Sequence, residues 1–279
     1  MRFQFTKWQG LGNDFVLVDC FKETITDCNQ LAVAVCDRHF GIGADGLVTI
    51  SSSAVADFHM RIFNSDGSEA EMCGNVTRCV ARYVYENGLT DKTKISLETG
   101  AGIIRPELIF ESGKVANARV DMGEPKLTRG VIPVAGQADD TAIHIPVEAA
   151  GVLYYGTCVS MGNPHCVIFT DDAAGIDLPL VGPGLEKHEL FPKKINVEFV
   201  QVLDAENIRM RVWERGAGVT LACGTGACAA VAASVLNQKT KRQVTVHLDG
   251  GKLFVEWGDN NHIFMTGPAI EVFRGEYRL

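Results

Sequence analysis

Two cysteines are the residues of this chain best suited to do chemistry, because they come as a matched pair. Cys73 lies in Met72-Cys73-Gly74-Asn75 and Cys223 in Ala222-Cys223-Gly224-Thr225, 150 residues further on. Other blocks repeat at the same offset: Arg61-Ile62-Phe63-Asn64 with Arg211-Val212-Trp213-Glu214, Leu11-Gly12-Asn13 with Met161-Gly162-Asn163, and Gly100 with Gly250. Shared spacing of this kind implies two similar domains, duplicated and fused, each supplying one cysteine. A thiol has an unperturbed pKa of about 8.5, which a helix N-terminus lowers. The unpaired backbone N–H groups there stabilise a thiolate and can also hold a carboxylate. Two matched thiols suit inversion of a carbon centre: a thiolate removes a proton from one face and a thiol returns one to the other. N–H groups aimed at a neighbouring carboxylate stabilise the charge that develops as the proton leaves.

For this chemistry each cysteine must open a helix. Residues 75–86 carry Val76, Cys79, Val80 and Tyr83 on one stripe and stop before Gly88. Residues 225–236 hold five alanines, a strongly helical composition. A third helix is expected over 27–38, with Thr26 or Asp27 as N-cap and Gly41 past its end. The rest reads as strands: 3–8 alternates, and 15–18, 47–50 and 59–63 are short apolar runs. Residues 244–249 and 252–257 predict a hairpin across Gly250-Gly251. The expected fold is α+β, with two pseudo-symmetric domains, each a curved, mostly antiparallel sheet wrapped around a central helix. Gly123-Glu124-Pro125 marks the boundary, and the stretch after Gly267-Pro268 returns to the first sheet. The expected domains are residues 1–123 plus 269–279, carrying Cys73, and 124–268, carrying Cys223.

Composition narrows the function. The 279 residues carry a formal net charge of −8, with 46% hydrophobic and 22% charged residues. Such a chain is globular, and its acidity argues against nucleic acid or an anionic membrane as partner. No apolar run approaches the roughly 20 residues needed to span a bilayer, and the start lacks a signal peptide's apolar core, so a cytoplasmic location is expected. Nine cysteines, an odd number, do not read as a disulfide framework, and with no Cys-x-x-Cys pair no metal site is expected. Gly41-Ile42-Gly43-Ala44-Asp45-Gly46 matches a dinucleotide fingerprint but follows a helix and precedes a strand, the reverse of the required order.

Several longer blocks then carry a family resemblance. They are Gly10-Leu11-Gly12-Asn13-Asp14-Phe15, residues 38–46, Met72-Cys73-Gly74-Asn75, Met161-Gly162-Asn163-Pro164-His165, Ile195-Asn196-Val197-Glu198-Phe199, and Trp213-Glu214-Arg215-Gly216 with Ala222-Cys223-Gly224-Thr225-Gly226. Together they resemble the diaminopimelate epimerase family of cofactor-independent amino-acid racemases, over nearly the whole chain. The resemblance implies interconversion of L,L- and meso-diaminopimelate with no pyridoxal phosphate and no metal, in lysine and peptidoglycan precursor synthesis, by a homodimer. It implies Cys73 and Cys223 as the acid–base pair, and the backbone amides of Gly74, Asn75, Gly224 and Thr225 as the cradle of the reacting carboxylate. Asn13, Asn64, Asn163, Asn196 and Arg215 would grip the rest of the substrate, with Glu214 and His165 in support. Two positions depart from the pattern. Gly46 stands where some members carry Gln, leaving a backbone or water contact to substrate, and Val76 follows Asn75 where a small residue is common. A racemase of another amino acid such as histidine, a thiol–disulfide oxidoreductase, and a protein that only binds an amino acid are the competing readings. The binder has no need of two thiols.

Overall fold

A computed structural model describes residues 2–278. The chain forms two compact units, Met1–Asp121 with Thr266–Leu279, and Met122–Met265. The first contains β1 (Arg2–Gly10), β2 (Asn13–Asp19), α1 (Cys28–Cys36), β3 (Gly46–Ser51), β4 (Phe58–Asn64), β5 (Glu69–Ala70), α2 (Gly74–Glu86), β6 (Leu97–Thr99), β7 (Gly102–Ile104), β8 (Glu107–Glu111) and β9 (Lys114–Asp121). The second contains β10 (Ile145–Ala149), β11 (Val152–Ser160), β12 (Pro164–Phe169), α3 (Leu178–Glu186), β13 (Asn196–Asp204), β14 (Asn207–Glu214), β15 (Gly218–Thr220), α4 (Gly224–Leu236), β16 (Gln243–Leu248), β17 (Gly251–Trp257) and β18 (Ile263–Gly267). The last strand, β19 (Ile270–Arg278), belongs to the first unit and pairs antiparallel with β1.

In the first unit the strands run β19-β1-β2-β3-β4-β6-β7, with β5 beside β4. Among the described residues of this sheet only β2–β3 and β4–β6 pair in parallel. Alternation along each strand sends side chains to two faces. Phe15 and Leu17 pack with Val48, Ile62 and the α2 residues Val76, Val80 and Val84. Val16 and Val18 pack on the opposite face with Leu31 and Val35 of α1. In the second unit the order is β10-β11-β12-β13-β14-β16-β17-β18, with β15 beside β14 and parallel pairs at β12–β13 and β14–β16. Every residue of α4 from Gly226 to Ser234 is buried. Alanine is what a helix enclosed on all sides needs, since no side chain holds the surrounding strands away.

The duplication extends to strand register. Phe15 faces Gly46 and His165 faces Asn196; Leu47 faces Phe63 and Val197 faces Trp213; Ile62 faces Ala70 and Val212 faces Thr220. Both units are thus mostly antiparallel sheets carrying a central helix, as the sequence pattern indicated.

Three details differ from expectation. Helix α1 ends at Cys36 instead of 38. The hairpin expected across Gly250-Gly251 turns at Asp249-Gly250, because Gly251 already pairs with Leu248 as the first residue of β17. Helix α3 was not expected at all: Leu178-Pro179-Leu180-Val181-Gly182-Pro183-Gly184-Leu185-Glu186 is full of helix breakers. Pro179 sits in the first turn, where no N–H is needed, and a Cβ on Gly182 would lie 2.4 Å from the Trp213 ring. Tight packing on Trp213 therefore decides that helix. Among the described residues no helix is long and apolar enough to cross a membrane.

Candidate active site

Helices α1 and α3 begin in the ordinary way. The carboxylates of Asp27 and Asp177 accept from Gln30 N and Leu180 N, at 2.9 and 3.2 Å. Helices α2 and α4 begin on Cys73 and Cys223, both extended at the N-cap (φ −145° and −122°) and neither bearing a capping oxygen. The first intrahelical bonds are Thr77 N to Cys73 O and Ala227 N to Cys223 O, each 2.9 Å. The amides of Gly74, Asn75, Gly224 and Thr225 therefore precede the helical ladder and carry the positive end of the dipole.

The segment leading to each cysteine is pinned by a hairpin turn. Ala101 N donates to Glu71 O (3.2 Å) and Gly250 N to Leu221 O (2.8 Å). A Cβ at Gly100 would lie 2.9 Å from Glu71 Cα, so only glycine lets that turn come so close. The pairs closing these two turns, Thr99 with Gly102 and Leu248 with Gly251, set Ala101 in the place of Gly250 and Gly100 in that of Asp249, so the expected match of Gly100 with Gly250 is out of step by one residue.

Around Cys73 the side chains form one directed chain. The β1–β2 hairpin turns on Leu11 and Gly12, both at positive φ (58° and 86°), and delivers Asn13. Asn13 Nδ2 donates to Asp45 Oδ2 (2.7 Å), while its Oδ1 accepts from Asn75 Nδ2 (3.0 Å) and from the Cys73 thiol (3.8 Å). Asn75 Oδ1 in turn accepts from Arg78 Nη2 (2.8 Å). Arg78 is wholly buried and also donates to Pro268 O (3.1 Å) and Gly74 O (3.4 Å). A guanidinium only donates and a carboxylate only accepts, so both amides have one orientation. Gly10 makes room, since a Cβ there would lie 3.0 Å from Arg78 Nη2. Asp45 is braced by Arg38 (2.8 Å), which also binds Asp14 (2.8 Å). Burial alone would raise the Asp14 carboxyl; Arg38 and Lys7 outweigh it and hold it below the usual range.

Cys223 is buried, 5% exposed, with its sulfur 3.6 Å from the Thr225 hydroxyl. Burial pushes its thiol well up, and the charges of Glu214 and Glu198 add to that; the Thr225 hydroxyl and Gly226 N–H pull the other way without reversing it. The site therefore favours the thiol over the thiolate. His165, also buried, places Nδ1 2.6 Å from Glu198 Oε1 and Nε2 3.0 Å from Asn163 Oδ1. Asn196 spends both ends of its amide on the backbone: Nδ2 donates to Pro164 O (2.8 Å) and Oδ1 accepts from Arg215 N (2.9 Å). It fixes the backbone from which Arg215 projects. The Arg215 side chain is exposed and donates to Lys193 O (3.1 Å). Glu214 accepts from the Thr220 hydroxyl.

In the first unit Asn64 is exposed, donates to Ser68 Oγ (2.9 Å), and lies opposite Gly46 across β3–β4. A Cβ at Gly46 would sit 2.8 Å from Phe63 O, so the absence of a side chain there is a packing requirement. The sequence reading missed Asp45, Arg78 and Glu198. Glu198 did leave a signal, a charge between Val197 and Phe199 in an apolar run, whereas Arg78 shares its helix with Arg82 and Glu86 and does not stand out. Among the described residues no group of three or more His, Cys, Asp or Glu is arranged to hold a metal ion.

A profile of the diaminopimelate epimerase family matches residues 5–128 and 157–272. The chain belongs to the diaminopimelate epimerase family. Its relatives include the diaminopimelate epimerase of Pelotomaculum thermopropionicum, 58% identical over 98% of both chains, and that of Moorella thermoacetica, 56% identical over 99% of both. The fold of this family member is shared more widely. A probable proline racemase from Agrobacterium radiobacter superposes with a TM-score of 0.72 at 15% identity, covering 99% of this chain and 93% of the other. A phenazine biosynthesis PhzF-family protein from Enterococcus faecalis does so with 0.72 at 14% identity, covering 100% of both.

Proposed function

We propose that this protein epimerises L,L-diaminopimelate to meso-diaminopimelate without pyridoxal phosphate, by proton transfer between two cysteines and the α-carbon. The observation that carries the reading is the pair of helices in this family member that open on a cysteine where the other two open on aspartate. An aspartate would occupy the amides itself. A cysteine leaves them for a substrate carboxylate and adds a group able to carry a proton. One thiolate takes the α-proton, and the dianionic species that results is stabilised by the amides of Gly74, Asn75, Gly224 and Thr225. The other cysteine, as thiol, returns a proton to the opposite face, and the roles exchange in reverse. The surroundings of Cys223 favour its thiol, which suits it to donate first. Arg215 supplies a bidentate partner for the distal carboxylate, and Asn13, Asn64, Asn163 and the Gly46 backbone bind the remainder; Asn196, expected to join them, acts through the Arg215 backbone that it holds, with Glu214 and His165 in support. The protein works as a cytoplasmic homodimer in lysine and peptidoglycan precursor synthesis.

The test is proton NMR of L,L-diaminopimelate with the reduced protein in D₂O and no added cofactor. The α-proton signal disappears and the meso isomer accumulates. Folded, reduced protein that gives no exchange would overturn the assignment.

A further inference from the structure

Glu198 is wholly buried, and one of its two carboxylate oxygens, Oε2, has no hydrogen-bond partner. An orphaned buried carboxylate oxygen costs stability and calls for a reason. The molecule contains its own control. At the positions 150 residues earlier, His165 corresponds to Phe15 and Glu198 to Val48, and both are buried in the core of the first unit. At these two places the same pair of parallel strands carries apolar side chains instead. The fold does not require the polar pair. A third exchange accompanies it. Gly226 corresponds to Val76, and a Cβ at Gly226 would lie 2.7 Å from Glu198 Oε1 and 3.3 Å from Cys223 Sγ. The first unit fills this place with Val76; the second leaves it to a carboxylate.

We propose that Glu198 is a positioning residue which, through His165, holds the Asn163 amide with its NH₂ group turned outward as a hydrogen-bond donor for a substrate carboxylate. This rests on the reading of Asn163 as a substrate-binding residue of the epimerase. Asn163 Oδ1 can only accept, so the geometry puts a hydrogen on His165 Nε2, and Nδ1 and Glu198 Oε1, 2.6 Å apart, then share a further proton; burial, which pushes the Glu198 carboxyl up, works in the same direction. Whichever atom holds that proton, Nε2 keeps its own hydrogen and donates it to Asn163 Oδ1. With its oxygen tied, the planar amide presents only donors elsewhere. Without Glu198, His165 can carry its hydrogen on Nδ1 and accept at Nε2, and the Asn163 amide then turns over. Its oxygen would face the substrate carboxylate and repel it.

The experiment is a double-mutant cycle on the full-length, reduced enzyme, read as KM and kcat for L,L-diaminopimelate, with NMR of protein carrying ¹⁵N-labelled histidine. Glu198→Val raises KM about tenfold and leaves kcat within about threefold, the loss expected for one charge-assisted hydrogen bond. Glu198→Asp, which keeps a carboxyl, gives a smaller rise. Asn163→Ala also raises KM, and adding Glu198→Val to it does no further harm, because both act through one contact. In the unaltered protein the His165 ring, assigned by loss of its signal in His165→Phe, carries hydrogen on Nε2. Effects of Glu198→Val and Asn163→Ala that multiply, a loss confined to kcat, or an Nε2 without hydrogen would each overturn the proposal. The NMR result needs no substrate and no change at Glu198, and His165→Phe only installs the residue found at the matching Phe15, so an Nε2 without hydrogen overturns the proposal even where Glu198→Val does not fold. Absence of any exchange by the unaltered enzyme would refute the functional reading alone.

Discussion

The two units share a scaffold and differ in the layer of side chains behind it. Their strand pairings coincide residue for residue over the part that carries the cysteine helices, and the turns pinning Cys73 and Cys223 are the same device. Behind the thiols the units have exchanged chemistry. The first buries Arg78 where the second buries Cys228; the second buries His165 and Glu198 where the first has Phe15 and Val48. As a result the equivalent asparagines are tied at opposite ends. Asn13 gives its NH₂ to Asp45 and shows its oxygen to the Cys73 thiol, whereas Asn163 gives its oxygen to His165. A duplicated fold is symmetric in backbone, and an L-amino acid is not a symmetric ligand. The difference between the units shows where such asymmetry can be stored: in buried polar groups that fix amide orientation without disturbing strand register.

The largest effects are expected at the thiols. Cys73→Ser and Cys223→Ser should each reduce epimerisation on the order of a thousandfold while substrate still binds, because a serine hydroxyl is too weak an acid for the transfer. Stopped assays by chiral chromatography, with calorimetry for binding, check this, and a serine variant of either unit that keeps substantial turnover would refute the two-cysteine reading. Next comes Arg78→Met. It leaves Pro268 O and Asn75 Oδ1 without their donor, so about 3 kcal/mol of stability should go, with a lower melting temperature. An unchanged melting curve would show that the buried guanidinium is dispensable.

Asp45→Asn should lower kcat/KM about tenfold with little change in melting temperature, since an amide at 45 no longer dictates which way Asn13 turns. Unaltered kinetics would mean that Asn75 fixes Asn13 by itself. Glu214→Gln removes one of the negative charges that disfavour a thiolate at Cys223, so that thiol should ionise at lower pH. Iodoacetamide labelling of the Cys223 peptide against pH, read by mass spectrometry, should move downward; a profile that stays or moves upward contradicts the assignment. The smallest effect is expected at an ordinary cap. Asp27→Ala should cost about 1 kcal/mol in urea unfolding and leave activity intact, in contrast to any change at a cysteine-opened helix.

What was legible in the sequence has a local cause. The helices behind the cysteines announce themselves by alanine content, stripe and stop signal, and the duplication announces the strand order around them through matched blocks. The pairing of Gly100 with Gly250 by spacing is off by one residue, because the turn that meets Glu71 through Ala101 N meets Leu221 through Gly250 N, and contacts between distant segments decide that register. Helix α3 was hidden because its residues favour a turn when taken alone, and only the Trp213 ring against Gly182 overrides that preference. The turn at Asp249-Gly250 was misplaced by one residue because three polar or glycine residues in a row leave the register open until the strands pair.

Residue order alone specifies a duplicated α+β chain of the diaminopimelate epimerase family with a cysteine at the head of one helix in each half. Those features rest on local propensity and on spacing, which any chain segment carries with it. Which polar groups are buried behind those helices, and which way each amide faces, follows from long-range packing. Asp45 reaches Asn13 across 32 positions, Glu198 reaches His165 across 33, and Arg78 reaches Pro268 across 190. Hydrogen-bond direction depends on the partner at the far end, and that partner is supplied by folding.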